Sequence, residues 1–330
     1  MSEAFATELA LCGPWRQPKQ MLAEQSYDGH KSLHDDQMAE KLGFRAGPIE
    51  GPTHFSQFDP LLYCLWGPDW FARGCISAHF KTMCVEGEEV RAFVGAQEGD
   101  APFVRIWAEK RDGSLVLTGT ASLGPDYGET ELQERLEKLR PPGPMVILRD
   151  VEVGPLPGPE MAQMDADQNM GELYPFTLNE KLEKITERST WYGMEGEATS
   201  PFSGPIIPFE MISVLSHAGS RAAGIPVRTP SVGLFADLEI RIIDGPLMVG
   251  QPYELEREIV ALSDSRRTES YWLGTTIRDP DNGPIRAMVL LNLAVLKDSY
   301  PSYESELAAL AEDSGSKGGG SKGGGKQAGS

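Results

Sequence analysis

The chain has 330 residues, 40% of them hydrophobic and 24% charged, which suits one large or two ordinary globular domains and argues against disorder spread through the whole chain. A formal net charge of -19 repels nucleic-acid phosphates and anionic lipid headgroups, so neither nucleic acid nor a membrane is expected as a partner. The start of the chain lacks the basic flank and apolar core of a secretory signal. No apolar run nears the roughly 18 residues needed to cross a bilayer, so cytoplasmic residence is the default expectation.

In chain order, the first dense group of ionisable residues is Asp28, His30, His34, Asp35, Asp36, Glu50 and His54, in a sequence with only five histidines. A helix is expected over 35–42. Ala46-Gly-Pro-Ile49 reads as a turn feeding a buried apolar helix over Thr53 to Trp66. Four strand candidates follow, Ile76 to Val85, Val90 to Gln97, Phe103 to Arg111 and Leu115 to Leu123. In the third, Val104, Ile106 and Ala108 alternate with Arg105, Trp107 and Glu109, as on a sheet with one covered face. A charged helix over 129–140 is stopped by Pro141 and Pro142, where a domain boundary is expected.

The second half repeats this order. Ser203-Gly-Pro-Ile206 precedes an apolar stretch from Pro208 to Ala223, and strands are expected over Val232 to Ile243, Tyr253 to Leu262, Ser270 to Arg278 and Ile285 to Leu296. The turns Arg111-Asp-Gly113 and Arg278-Asp-Pro-Asp-Asn-Gly283 fall at matching places, and Asp-Gly and Asn-Gly supply the positive-φ residues of tight hairpins. The fold class is therefore α+β, each half an antiparallel sheet wrapped around a central helix, with domains over 1–140 and 141–312. A short closing helix is expected over 302–312, and the Gly/Ser/Lys-rich 313–330 reads as a flexible tail. Cys12, Cys64, Cys75 and Cys84 have no CxxC spacing and read as reduced packing residues.

The segment Leu33-His34-Asp35-Asp36, then Ala39, Gly43-Phe44 and Gly47-Pro48-Ile49-Glu50-Gly51, resembles the MaoC-like, R-specific enoyl-CoA hydratase branch of the hot-dog superfamily. The resemblance implies a tandem, double hot-dog fold. It also implies a water positioned by an Asp and a His five residues later, and a thioester carbonyl polarised by amides at the start of the hot-dog helix. Here His34 fits the His position, whereas Gly29 lies five residues before it and Asp28 one further back. The His of the family's Pro-Ile-x-His-Gly is missing, since Glu50 adjoins Gly51. In the second half Asn179 is the expected counterpart of His34, and Ile207-Pro208 that of Glu50-Gly51.

These residues point to a hydro-lyase, a hydratase or dehydratase acting on a small α,β-unsaturated or β-hydroxy carbonyl compound. Asp28, His34, Glu50 and His54 are the catalytic candidates, and Gly51, Tyr63, Trp66, His217 and Glu210 the substrate-binding ones. Glu210 and His217 share one helix face. No cofactor and no metal are expected. A small molecule is the expected partner, with a CoA thioester implied by the family. Lack of an evident basic phosphate clamp keeps a free small substrate in play, and homodimer formation is left open. A hot-dog thioesterase using Glu50 and a non-catalytic ligand-binding hot-dog protein are the competing readings.

Overall fold

The structure, a computed structural model, describes residues 10–196, 198–220 and 223–317. An edge strand β1 (Ala10–Cys12) opens it, followed by a two-strand hairpin of β2 (Ser26–Tyr27) and β3 (His30–Lys31). The hairpin turns through Asp28 and Gly29, at φ 52° and 80°, the two left-handed residues that a right-twisted two-residue loop requires. A short helix α1 (Asp36–Lys41) starts at Asp35, whose carboxylate accepts from the Met38 amide at 2.9 Å.

A 3-10 turn over Gly51–Gln57 runs into α2 (Asp59–Trp66), which ends at Gly67 with φ 58°. Phe55, Phe58 and Leu62 on this segment are buried. After α3 (Asp69–Arg73) come β4 (Gly74–Phe80), β5 (Val90–Gly95), β6 (Phe103–Lys110) and β7 (Leu115–Leu123). Along β6 the even positions Val104, Ile106 and Ala108 are buried and Arg105 is exposed, as the alternation predicts. Helix α4 (Glu131–Glu137) is fixed by a Thr130/Gln133 capping box.

The second half begins with the short β8 (Gly154–Pro155) and β9 (Glu160–Gln163), then α5 (Leu178–Lys184), opened by a Thr177/Glu180 capping box. Its central helix is α6 (Phe209–His217), shorter than the 208–223 apolar stretch suggests. Four long strands follow, β10 (Gly233–Ile242), β11 (Pro252–Asp264), β12 (Thr268–Arg278) and β13 (Ile285–Leu296). The β12–β13 turn carries Asp281 and Asn282 at positive φ. The chain closes with α7 (Tyr303–Lys317), so the helix expected over 302–312 takes in the first five residues of the expected tail; 318–330 lie outside the described residues.

All strands of the main sheet pair antiparallel in the order β1-β5-β6-β7-β4-β10-β13-β12-β11-β8, with β9 also on β11. The two halves thus enter as mirror sequences of strands and meet at β4 and β10, where Cys75 to His79 pair with Arg241 to Asp237. The seam satisfies the two edges that separate sheets would expose. This is a double hot-dog fold. The linker is tied down by Glu269, fully buried on β12, which accepts the amides of Val146, Ile147 and Leu148 at 2.8–2.9 Å and the Tyr303 hydroxyl at 2.9 Å.

Among the cysteines, Cys75 and Cys84 are buried packing residues, but Cys12 and Cys64 are exposed. Cys12 stands on the edge strand beside the Arg91 guanidinium, and Cys64 on the outer side of α2, which corrects their reading as core. No helix among the described residues is long and apolar enough to cross a membrane.

Candidate active site between the two halves

A cavity of about 440 Å³ is lined by residues of both halves, among them Asp28, His34, Glu50, Gly51 and His54 from the first and Tyr174, His217, Ser220 and Tyr271 from the second. Its remaining wall is largely apolar, with Leu22, Leu33, Ile49, Phe80, Val227 and Phe235. Such a space, apolar with a few convergent polar groups, is the usual form of a small-molecule site.

His34 is placed by two tightly joined segments. It immediately precedes the cap of α1, and its Nδ1–H donates to the Pro48 carbonyl at 2.7 Å. The Gly47 amide donates to Asp36 at 2.8 Å. A side chain at Gly47 would put its Cβ 2.1 Å from the His34 carbonyl oxygen, so this approach needs glycine. A carbonyl oxygen only accepts, so Nδ1 carries the hydrogen and Nε2 the lone pair. Burial holds the His34 pKa below the ordinary imidazole value, against the opposing pull of the Pro48 hydrogen bond. Burial thus favours the neutral ring, with its lone pair on Nε2.

Glu50 immediately precedes the 3-10 turn, lines the cavity and is 7% exposed. Burial raises its carboxyl to about 7, with Lys181 pulling the value down and Glu210 pushing it up. Next to it, Gly51 lies directly under the Phe80 ring, where an added Cβ would approach ring carbons to 2.8 Å. His54, 2% exposed, is driven down to about 4 by burial, then by Lys181 and Lys110, and so stays neutral. Its Nδ1 accepts from Gln57 Nε2 at 3.3 Å. Asp28 reaches the cavity from the hairpin turn, so its turn role and its place at the site coincide.

Lys181 was not singled out from sequence. The signal was a lysine at the inward position of a helix whose other inward residues are Leu178 and Leu182. Its Nζ lies 2.8 Å from Glu210 Oε1 and donates to Thr53 Oγ1 at 2.9 Å, joining α5 and α6 to the start of the first-half helix. The contact to Glu210 is an ion pair without hydrogen-bond geometry, and both Glu210 oxygens lack a hydrogen-bond partner. Tyr174, also missed, is 2% exposed and bonds to His217 Nδ1 at 3.0 Å. A lone tyrosine in a loop carries no periodicity by which sequence could find it.

Three substrate-binding candidates lie elsewhere. The Tyr63 ring packs on Phe71 and Trp191, and Trp66 stacks on Trp70 at 5.9 Å, both outside the cavity lining. Glu210 faces Lys181 and not His217. Seven residues along a helix are about 10 Å, so a shared face does not bring the two side chains together.

The halves are not equivalent at this point. The amide of Ile49 donates to Cys84 O and that of Ile207 to Leu247 O, at 2.7 and 2.8 Å. Ile207 therefore matches Ile49, and Pro208-Phe209 match Glu50-Gly51, one residue away from the pairing expected from the Gly-Pro-Ile motifs. Likewise Phe176, preceding the cap of α5, takes the place of His34, while the expected Asn179 is an exposed residue of α5. Phe209 stacks on Trp70 with centroids 4.4 Å apart, and Phe71 packs against Phe209, Trp191 and Tyr192. Aromatic rings pack around Phe209, whereas Gly51 lines the cavity.

A double hot-dog protein with a cavity lined by both halves, holding buried ionisable groups, is the class that this geometry defines. Its structure is similar to one described as a MaoC domain protein dehydratase from Chloroflexus aurantiacus, with TM-score 0.55, 13% identity, and coverage of 88% of this chain and 95% of that one. A MaoC-like dehydratase matches at TM-score 0.46 and 13% identity over 86% and 97% of the two chains. A conserved Mycobacterium tuberculosis protein with a double hot-dog fold matches at TM-score 0.48 and 12% identity over 88% and 96%. No protein-family model and no curated protein sequence matches the chain.

Proposed function

We propose that the protein is a hydro-lyase adding or removing water across a carbon–carbon double bond next to a carbonyl, of the MaoC-like kind. The observation that carries this reading is the convergence of His34, Glu50 and the Gly51 helix start on one apolar cavity. In the hydration direction, His34 Nε2 takes a proton from water as the water oxygen bonds to the β-carbon. The double-bond electrons move onto the carbonyl oxygen, which the Gly51 amide stabilises as an enolate. Glu50, with a carboxyl raised to about 7, gives its proton to the α-carbon as the carbonyl re-forms. His34 loses and Glu50 regains a proton through solvent, so one water is added per turnover.

In this reading 1–140 is the catalytic half and 141–312 completes the cavity. A thioester, CoA-linked or free of the nucleotide, is the proposed substrate form. Lys81 lines the cavity and is exposed, the one lining ammonium or guanidinium group among the described residues. The test is turnover of a panel of enoyl and 3-hydroxyacyl thioesters by wild type, His34→Ala and Glu50→Gln. Hydration lowered about 10²- to 10⁴-fold by either substitution is expected. Free-thiol release that depends on Glu50 would instead make the protein a thioesterase, and tight binding without turnover a ligand-binding hot-dog protein.

A further inference from the structure

The turn that presents Gly51 brings a second polar group to the cavity three residues on. A 3-10 helix has three residues per turn, so side chains at i and i+3 eclipse, with a separation of about 6 Å along the axis. Gly51, His54 and Gln57 therefore fall on one line of the Gly51–Gln57 turn, and the first two line the cavity. Phe55, between His54 and Gln57, packs in the hydrophobic core.

Gln57 decides how the His54 ring is used. Its side-chain amide nitrogen only donates, so at 3.3 Å from Nδ1 it makes that nitrogen the acceptor. Burial, then the charges of Lys181 and Lys110, push His54 down to about 4, so the ring is neutral at neutral pH and its single hydrogen is on Nε2. The two nitrogens of an imidazole point away from each other. With Nδ1 aimed along the turn towards Gln57, Nε2 is turned back towards the Gly51 end, where it is open to the cavity and has no acceptor among the described residues. His34 is in the opposite tautomer, with Nδ1 donating to the Pro48 carbonyl. A neutral imidazole is a very weak acid, so its N–H donates a hydrogen bond without giving up the proton, which is what an oxyanion donor must do.

We infer that His54 is a further catalytic residue of the first-half site, its Nε2–H donating to the carbonyl oxygen of the substrate alongside the Gly51 amide, with Gln57 as the positioning residue that fixes its tautomer. The inference rests on the hydro-lyase reading, because it needs a carbonyl on which negative charge develops. His54 transfers no proton: its hydrogen bond tightens as the enolate forms and relaxes when the α-carbon is protonated. One turn thus supplies two donors to one oxygen, a main-chain amide and a side chain.

The first measurement needs no turnover. Nitrogen-15 spectra of histidine-labelled protein, with His54 assigned by comparison with His54→Gln, should show a neutral ring with its hydrogen on Nε2 at neutral pH; a ring protonated on Nδ1 overturns the inference. Gln57→Leu should mix the two tautomers, a signature that a purely structural glutamine would not give. The second measurement follows the carbonyl stretch of a crotonyl-pantetheine probe, isotope-labelled at the carbonyl and bound to the His34→Ala protein to suppress turnover. A shift to lower frequency on binding should persist with His54→Gln added, which keeps an N–H, and fall back towards the solution value with His54→Leu. In the otherwise wild-type enzyme, His54→Leu should lower kcat about 10²-fold, as loss of one oxyanion donor does, with KM changed far less. Gln57→Leu should produce a smaller loss of the same kind and covers the case in which His54→Leu fails to fold. A stretch indifferent to His54 and Gln57 overturns this inference and leaves the hydro-lyase reading standing; failure of the probe to bind at all overturns both.

Discussion

Replacing Lys181 by Met removes one partner of a buried ion pair and leaves the other. The Lys181 and Glu210 side chains are 3% and 1% exposed, and their charged atoms are 2.8 Å apart. Breaking such a pair from one side costs about 3–5 kcal/mol, because the remaining carboxylate is left in an apolar surround. The Thr53 hydroxyl also loses its donor. Adding Glu210→Met to Lys181→Met should return most of that stability, since a buried pair exchanged for apolar side chains of similar volume is close to neutral or better. Urea denaturation of wild type, both single variants and the double variant closes the cycle. The reasoning fails if Lys181→Met costs under about 1 kcal/mol, or if the double variant is as unstable as the single one. A second readout belongs to the site: Lys181 holds the Glu50 carboxyl down and Glu210 pushes it up, so the Glu50 value should rise above about 7 in Lys181→Met, where Glu210 is kept.

Glu50 makes stability depend on pH. Its folded value of about 7 lies above the ordinary 4.5, so its contribution is full below pH 4.5 and is lost as pH rises through 7. The loss is about 3 kcal/mol at most, and Glu50→Gln should flatten the stability profile over that window, measured by urea midpoints at pH 5 and pH 8. His54 works in the other direction: its value is depressed from 6.5 to about 4, so its contribution is present above 6.5 and falls away as the solution is acidified towards 4, a dependence that His54→Gln should remove. Gly51→Ala should cost about 1–3 kcal/mol by overpacking against Phe80, and Phe80→Leu in the same chain should recover part of it; thermal midpoints of the four proteins decide. Glu269→Ala should cost at least about 3 kcal/mol, as three buried amides lose a charged acceptor, and should show as faster hydrogen exchange at Val146 to Leu148.

The sheet was legible in the sequence because its information is local. Alternation along Phe103 to Lys110 sets a face, and Asp-Gly and Asn-Gly set the reversals, so β7 and β13 end where the pattern does. Of the residues singled out in the sequence, His34, Glu50, Gly51 and Asp28, beside turns, and His54 and His217, on helices, line the cavity. Lys181 and Tyr174 come from the other half and meet the first only through packing, which no spacing records. Tyr63 and Trp66 were grouped with the site because aromatics cluster after the helix, yet a helix surface has two sides and sequence alone does not say which one faces the ligand. The one-residue offset between the two Gly-Pro-Ile motifs and the true counterparts Ile49 and Ile207 has the same origin: a ladder hydrogen bond, and not a matching tripeptide, fixes equivalence.

Because β4 and β10 are joined in one chain, the two copies of the fold are free to diverge. In a symmetric pair of identical subunits, exchanging the glycine at the helix start for phenylalanine would close both cavities at once. Here Gly51 and Phe209 coexist, one lining the cavity under the Phe80 ring and the other stacked on Trp70. Fusion thus turns a symmetry constraint into a choice: one copy can be selected for firmness while its sister remains open to a ligand, and each can change without dragging the other along.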